Sequence, residues 1–243
     1  MRAARAAGIR LAGEYLLQGQ SLFGPVRLEL PGPGWHCLLG ASGAGKSTIL
    51  RLLAGLPVDG VFHGTITDAS GRPLAGQSAY MAQADLLVPW LRVRANIQLG
   101  SRLRREPAHE ARTDDLLRRV GLAAHVDKHP AALSGGMRQR VALARTLLED
   151  RPIVLLDEPF GALDARTRAE MQELAHELLG GRTVLLVTHE PAEAARLADT
   201  IHLLTADGLT AVAVPPGPAI RAVDSPAVFA HAGAMLARLR GQS

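Results

Sequence analysis

The stretch Gly40-Ala41-Ser42-Gly43-Ala44-Gly45-Lys46-Ser47 decides the fold. It fits the pattern G-x-x-x-x-G-K-[ST], and its flanks give that pattern a meaning. Trp35 to Leu39 reads as a buried strand leading in, and Thr48 to Leu53 as a helix leading out and closing near Gly55. In a strand–loop–helix of this kind the glycines let the backbone approach a phosphate, and the loop N–H groups converge as an anion nest. The helix N-terminus adds partial positive charge. Gly40 to Thr48 is therefore the candidate nucleotide cradle, with Lys46 reaching the β- and γ-phosphates and Ser47 offering its hydroxyl oxygen to Mg²⁺. The competing reading, a Gly-rich turn with a solvated lysine, leaves the full pattern in its strand–helix setting unexplained.

Downstream, Ile153-Val154-Leu155-Leu156-Asp157-Glu158 supplies the carboxylates such a site needs. Four apolar residues make a buried strand and place both acids at its C-terminal end, where ligands bind in parallel α/β sheets. Asp157 suits Mg²⁺ as a hard oxygen ligand. Glu158 suits the task of orienting and deprotonating a water that attacks the γ-phosphate. Acids at a strand end are often merely solvated; their place after the phosphate loop favours the functional reading.

Around these two strands the chain alternates. Gly8 to Leu11, Val26 to Leu30, His63 to Thr67 and Ser78 to Met81 read as strands. Val93 to Leu99, Glu110 to Val120 and Arg138 to Leu148 read as helices. Helix over Ala165 to Leu179, strand over Thr183 to Thr188, helix over Pro191 to Ala198 and strand over Ile201 to Leu204 follow, and a last helix is expected near Ala227 to Leu239. Alternation of this kind predicts an α/β fold: a mainly parallel core sheet, an N-terminal β layer, a helical subdomain inserted over about 84–140, and a short extension over about 205–243.

Composition sets the outer limits. The chain has 243 residues, 47% of them hydrophobic, enough for a sizeable core in one cassette-sized unit. The net charge of +4 is mild and spread out, so it permits phosphate or anionic headgroups without requiring nucleic acid. The run Arg102-Leu103-Arg104-Arg105 reads as a solvated helix face. Cys37 is the one cysteine; it lies in an apolar run as an inert core thiol and suits a reducing compartment. Met1 to Gly8 has no apolar stretch of leader length, and no run approaches the roughly 20 apolar residues of a membrane span. A membrane role would need another chain to supply the membrane part.

Leu133-Ser134-Gly135-Gly136-Met137-Arg138-Gln139-Arg140 resembles the signature motif of ATP-binding cassette (ABC) ATPases. Other motifs of that family follow in its order: Gln83 matches the Q-loop glutamine, Asp157-Glu158 the end of the second nucleotide motif, Asp164 in Gly161-Ala162-Leu163-Asp164 the D-loop, and His189 the switch histidine. The resemblance implies a P-loop NTPase that hydrolyses ATP with Mg²⁺, paired head to tail with a second cassette. Ser134, Gly135, Gly136 and Gln139 would then contact the partner's ATP, and Asp164 would organise the contact between the two. Gln83 would help ligate Mg²⁺, and His189 would hold the γ-phosphate and attacking water. The family stacks adenine on an aromatic residue upstream of the phosphate loop; here the matching position is near Leu17, and Tyr15 is the nearby aromatic, so either Tyr15 substitutes or Leu17 gives apolar contact.

The stretches Glu158 to Ala165 and Leu86-Leu87-Val88-Pro89-Trp90, with Val93 and Asn96-Ile97, resemble bacterial importers of the nitrate, sulfonate and taurine group, which includes relatives importing thiamine-pyrimidine precursors. A core tryptophan beside a helix-starting proline is the competing reading of Pro89-Trp90. The importer resemblance implies transmembrane permease subunits docking after Gln83, indirect work with a periplasmic or lipid-anchored solute-binding protein, and a peripheral place on the cytoplasmic face of the inner membrane. A soluble, non-transport ABC ATPase is the alternative, although such chains usually carry tandem cassettes or coiled-coil inserts.

Overall fold

The computed structural model describes residues 8–205 and 207–240. The reading of the N-terminal run as no leader falls largely outside those residues.

The chain opens with a hairpin, β1 (Ile9–Leu17) and β2 (Gln20–Leu30). β3 (Gly34–Gly40) then runs into the phosphate loop, and α1 (Lys46–Ala54) leaves it. Gly55 closes α1 in the left-handed conformation, its N–H donating back into the last turn. β4 (Val61–Asp68) returns to pair with β1, so β2-β1-β4 form a three-stranded antiparallel sheet. β2 is an edge strand of that sheet, which is why Pro25 is tolerated within it.

After β5 (Ser78–Met81) come only helices until β6 (Ile153–Asp157): α2 (Val93–Ile97), α3 (Leu99–Leu103), α4 (Glu110–Arg119), two short 3₁₀ turns and α5 (Gly135–Leu148). The expected single helix over Val93 to Leu99 is two, broken at Gln98. Then α6 (Ala165–Leu178), β7 (Thr183–Thr188), α7 (Pro191–Leu197) and β8 (Thr200–Thr205) alternate, and β9 (Gly208–Val212) and α8 (Pro226–Arg240) close the chain. The second sheet has the order β5-β6-β7-β3-β8-β9. Its pairs are parallel except β8–β9, a hairpin absent from the sequence reading although Asp207-Gly208 is a turn signal.

Side chains of a strand alternate between faces. On β6 and β7, Ile153, Leu155, Leu185 and Val187 face the antiparallel sheet and α1, whereas Val154, Leu156, Val184 and Leu186 face the cluster built on α5 and α6. Both faces are covered, so these strands read as unbroken apolar runs. Cys37 lies in a third cluster with Ala194, Ala195 and Met235, and burial pushes its thiol well up, which makes it inert. The C-terminal ends of β3, β6 and β7 emerge together, and the polar motifs sit there.

Candidate functional site

The loop between β3 and α1 is fixed by glycines that no other residue replaces easily. Gly43 and Gly45 have φ of +81° and +93°. A Cβ on Gly45 would approach Phe23 Cδ1 to 2.8 Å, and one on Gly40 would meet the Leu204 carbonyl at 2.7 Å. Gly43 faces open space, which leaves the mouth of the cradle free. Lys46 Nζ donates to the carbonyls of Gly40 (2.9 Å) and Ala41 (2.7 Å). Burial lowers its pKa, and Glu158 and Asp157 oppose that shift. A desolvated ammonium with two neutral acceptors is poised for an anion.

A cavity of about 290 Å³ opens above this loop; Ser42, Lys46, Ser47, Thr48, Gln83 and Glu158 are among its walls. Asp157 is 3% exposed at the end of β6. Its Oδ1 accepts from Ser47 Oγ at 3.0 Å and its Oδ2 from Tyr80 Oη at 3.2 Å. Burial raises the Asp157 carboxyl, and these two hydrogen bonds work against the rise. The pair Ser47–Asp157 is a set of hard oxygens at the mouth of a phosphate cradle, the donor chemistry Mg²⁺ prefers, so the residues fit that ion.

Glu158 has φ of +47°, a left-handed conformation uncommon for a residue with a side chain. This turns its carboxylate out of line with β6. Oε2 accepts from Gln83 Nε2 at 3.0 Å, and Oε1 lies 3.0 Å from His189 Nδ1. Its own N–H donates to Val187 O on the neighbouring strand. Gln83, Glu158 and His189, far apart in sequence, are thus one hydrogen-bonded group beside the phosphate loop.

The signature residues lie elsewhere. Ser134 caps α5, its Oγ accepting from the Met137 N–H, and Asp164 caps α6 by accepting from the Thr167 N–H. Ser134, Gly136 and Asp164 share the wall of a second cavity of about 520 Å³ with Met137 and Arg140. None of its lining residues belongs to the cavity above the phosphate loop. One chain therefore carries two separate cavities.

Residues 23–161 match the ABC transporter family. The chain belongs to that family. It is an ATP-binding chain in a family of transport ATPases, and it hydrolyses ATP. An uncharacterized ABC transporter ATP-binding protein of Haemophilus influenzae is 42% identical over 92% of this chain and 95% of that protein. The aliphatic sulfonates import ATP-binding protein SsuB 1 of Rhodococcus jostii is 51% identical over 71% of this chain and 68% of its own length. SsuB of Ralstonia nicotianae is 43% identical over 83% of this chain and 71% of its own. The solved structure of a bacterial Atm1-family ABC exporter with ATP bound superposes with a TM-score of 0.75, at 24% identity, over 99% of this chain and 43% of that one. That likeness speaks for the fold.

Two residues of this ABC chain are not placed as the sequence suggested. Tyr15 is 2% exposed; its ring stacks on Phe23 and its hydroxyl accepts the Gly60 N–H at 2.6 Å. Leu17, two residues on, packs against the same cluster as Tyr15 but stays half-buried. Tyr15 is a core residue with no face for adenine, and of the two candidates the half-buried Leu17 remains. Gln139 is 7% exposed, on the inner side of α5, and offers the second cavity nothing; Ser134 and Gly136 do. Two neighbours of the nucleotide site were missed. Leu22 lines the phosphate cavity because the β1–β2 hairpin folds over the loop, and no local pattern announces that. Tyr80 touches Asp157 because β5 pairs with β6, which the strand register could have shown.

Proposed function

We propose that this chain is the ATP-hydrolysing subunit of a bacterial importer that energises uptake of a small sulfonate-class solute through a separate permease. The observation that carries the catalytic part is the Glu158 carboxylate, bracketed by Gln83 and His189 beside the phosphate loop. The importer part is supported by likeness to aliphatic sulfonate import ATP-binding proteins, and by Trp90. That side chain is 75% exposed, and Leu86 nearby is 64% exposed, so Trp90 is not the core residue its sequence setting also allowed. An exposed apolar pair of this kind suits a protein partner, here the permease.

The chemistry follows from the contacts. The loop N–H groups receive the β- and γ-phosphates, and Lys46 turns its ammonium from the two loop carbonyls to them. Ser47 and Asp157 would hold Mg²⁺, which would supply neutralisation of phosphate charge. Gln83 donates its amide N–H to Glu158 and so leaves its amide oxygen for the cation. Glu158 takes the proton of the water that attacks the γ-phosphorus, and His189 keeps that carboxylate aimed. The products are ADP and phosphate. Ser134 and Gly136 line the second cavity, apart from the phosphate loop, which supports a pairing in which a second cassette placed head to tail completes each centre and the pair rests on the permease at the cytoplasmic face of the membrane.

The test is ATP hydrolysis by the chain co-purified with its permease in lipid, with solute-binding proteins and sulfonates added in turn. Stimulation by a sulfonate-loaded binding protein is expected. Failure to co-purify, with no stimulation by any membrane partner, would overturn the importer reading.

A further inference from the structure

Asp157 is almost wholly buried, yet both of its oxygens are engaged, one by Ser47 and the other by Tyr80. Ser47 stands in the first turn of α1, beside the phosphate loop. Tyr80 stands on β5, directly opposite Leu155 of β6, in the hydrogen-bonded frame of the sheet. Its ring packs against the cluster between the two sheets. The hydroxyl is therefore held at a fixed point, 3.2 Å from Asp157 Oδ2.

We propose that Tyr80 is a positioning residue for cation binding, fixing the Asp157 carboxylate from the sheet so that it is set for Mg²⁺ before nucleotide arrives. This rests on the reading that Asp157 holds the ion. A carboxylate at the end of a strand rotates about its last side-chain bond unless both oxygens are tied. With the Tyr80 hydroxyl removed, Oδ2 is left buried without a partner, and Asp157 turns to find one. The carboxylate then reaches the ion in the wrong orientation for part of the time. Outer partners of metal ligands act in this way, and their removal typically weakens metal binding about 10–100-fold.

The experiment uses the full chain with Mn²⁺ as probe. The affinity of Mn²⁺ for the protein–ATP complex is read by electron paramagnetic resonance, and ATP binding is measured separately in EDTA. Tyr80→Phe keeps the ring and its packing. It is expected to weaken Mn²⁺ about tenfold, at the lower end of that range, because the contact is half-buried. Metal-free ATP binding and the melting temperature should stay at wild-type values, and excess Mg²⁺ should restore kcat. Wild-type Mn²⁺ affinity in Tyr80→Phe would overturn the proposal, as would an equal loss of metal-free ATP binding, which marks a structural role. Asp157→Asn separates the two readings. If it loses Mn²⁺ while Tyr80→Phe does not, only the Tyr80 inference fails; if it keeps Mn²⁺, the role given to Asp157 fails as well.

Discussion

At the scale of single residues, the site depends on backbone conformations that side chains resist. Glu158 adopts φ of +47° and Gly45 φ of +93°. Strain of this kind costs about 1–3 kcal/mol and persists where the surroundings impose it. At Gly45 a side chain adds a clash with Phe23. Gly45→Ala is expected to cost about 2 kcal/mol and to weaken ATP binding at least tenfold, measured by calorimetry beside a melting curve. Wild-type ATP affinity in that variant would contradict a phosphate cradle at this loop. Tyr15 gives the opposite contrast. Tyr15→Phe removes the hydroxyl that serves the Gly60 N–H, so about 1 kcal/mol of stability should go while ATP affinity stays unchanged. A fall in ATP affinity without loss of stability would return Tyr15 to the nucleotide.

At the scale of elements, α5 joins the signature end of the molecule to the surface that carries Trp90. Arg138 Nε donates to Asp85 Oδ2 at 2.9 Å, and Arg145 donates to the carbonyls of Asp85 and Leu86. From the other side, Asn96 is fully buried; its Oδ1 accepts the Val88 N–H, and its Nδ2 donates to the carbonyls of Val88 and Leu91. One amide thus fixes the turn that presents Trp90. Asn96→Ala leaves those backbone groups unpaired and is expected to cost about 2 kcal/mol, with faster proteolysis between Val88 and Arg92. Unchanged stability and cleavage would show that the turn holds itself. Such side-chain bracing is what the sequence leaves unreadable. Strands β5 and β7 fall on the residues that apolar runs marked, and helix ends at Gly55 and Gly121 follow their glycines. The motif residues were legible because phosphate chemistry restricts them to few types at fixed order. The break at Gln98 was not; there the buried Gln98 amide donates to Thr113 of α4, a contact between elements that local sequence does not show. Tyr15 is buried by its stack on Phe23 and its bond to Gly60, contacts between segments that apolar periodicity does not show.

At the scale of the whole molecule, the helical insert is tied to the sheet by ion pairs as well as by packing. Asp150, at the end of α5, meets Arg112 of α4 and Arg182 before β7. Hydrogen bonding to Arg112 foremost, with the charges of both guanidinium groups, holds its carboxyl down at about 2. That lies below the unfolded value of about 3.9, so its contribution is complete above about pH 4 and fades as pH falls toward about 2. With the side chain 42% exposed, it amounts to about 1 kcal/mol at most. Urea unfolding of wild type and Asp150→Asn should show that gap near about pH 6 and a smaller one near about pH 3; a gap independent of pH would assign the loss to packing. The two cavities share no lining residue, so in the proposed pairing ATP held at the phosphate loop meets signature residues only when a second cassette brings them. All of this turns on Glu158 as the group that activates water. The most direct measurement is ATP binding and ATP hydrolysis, side by side, for wild type and Glu158→Gln with Mg²⁺. The account predicts wild-type binding and hydrolysis slower by about 10²–10⁴-fold. Hydrolysis at the wild-type rate in that variant would contradict it.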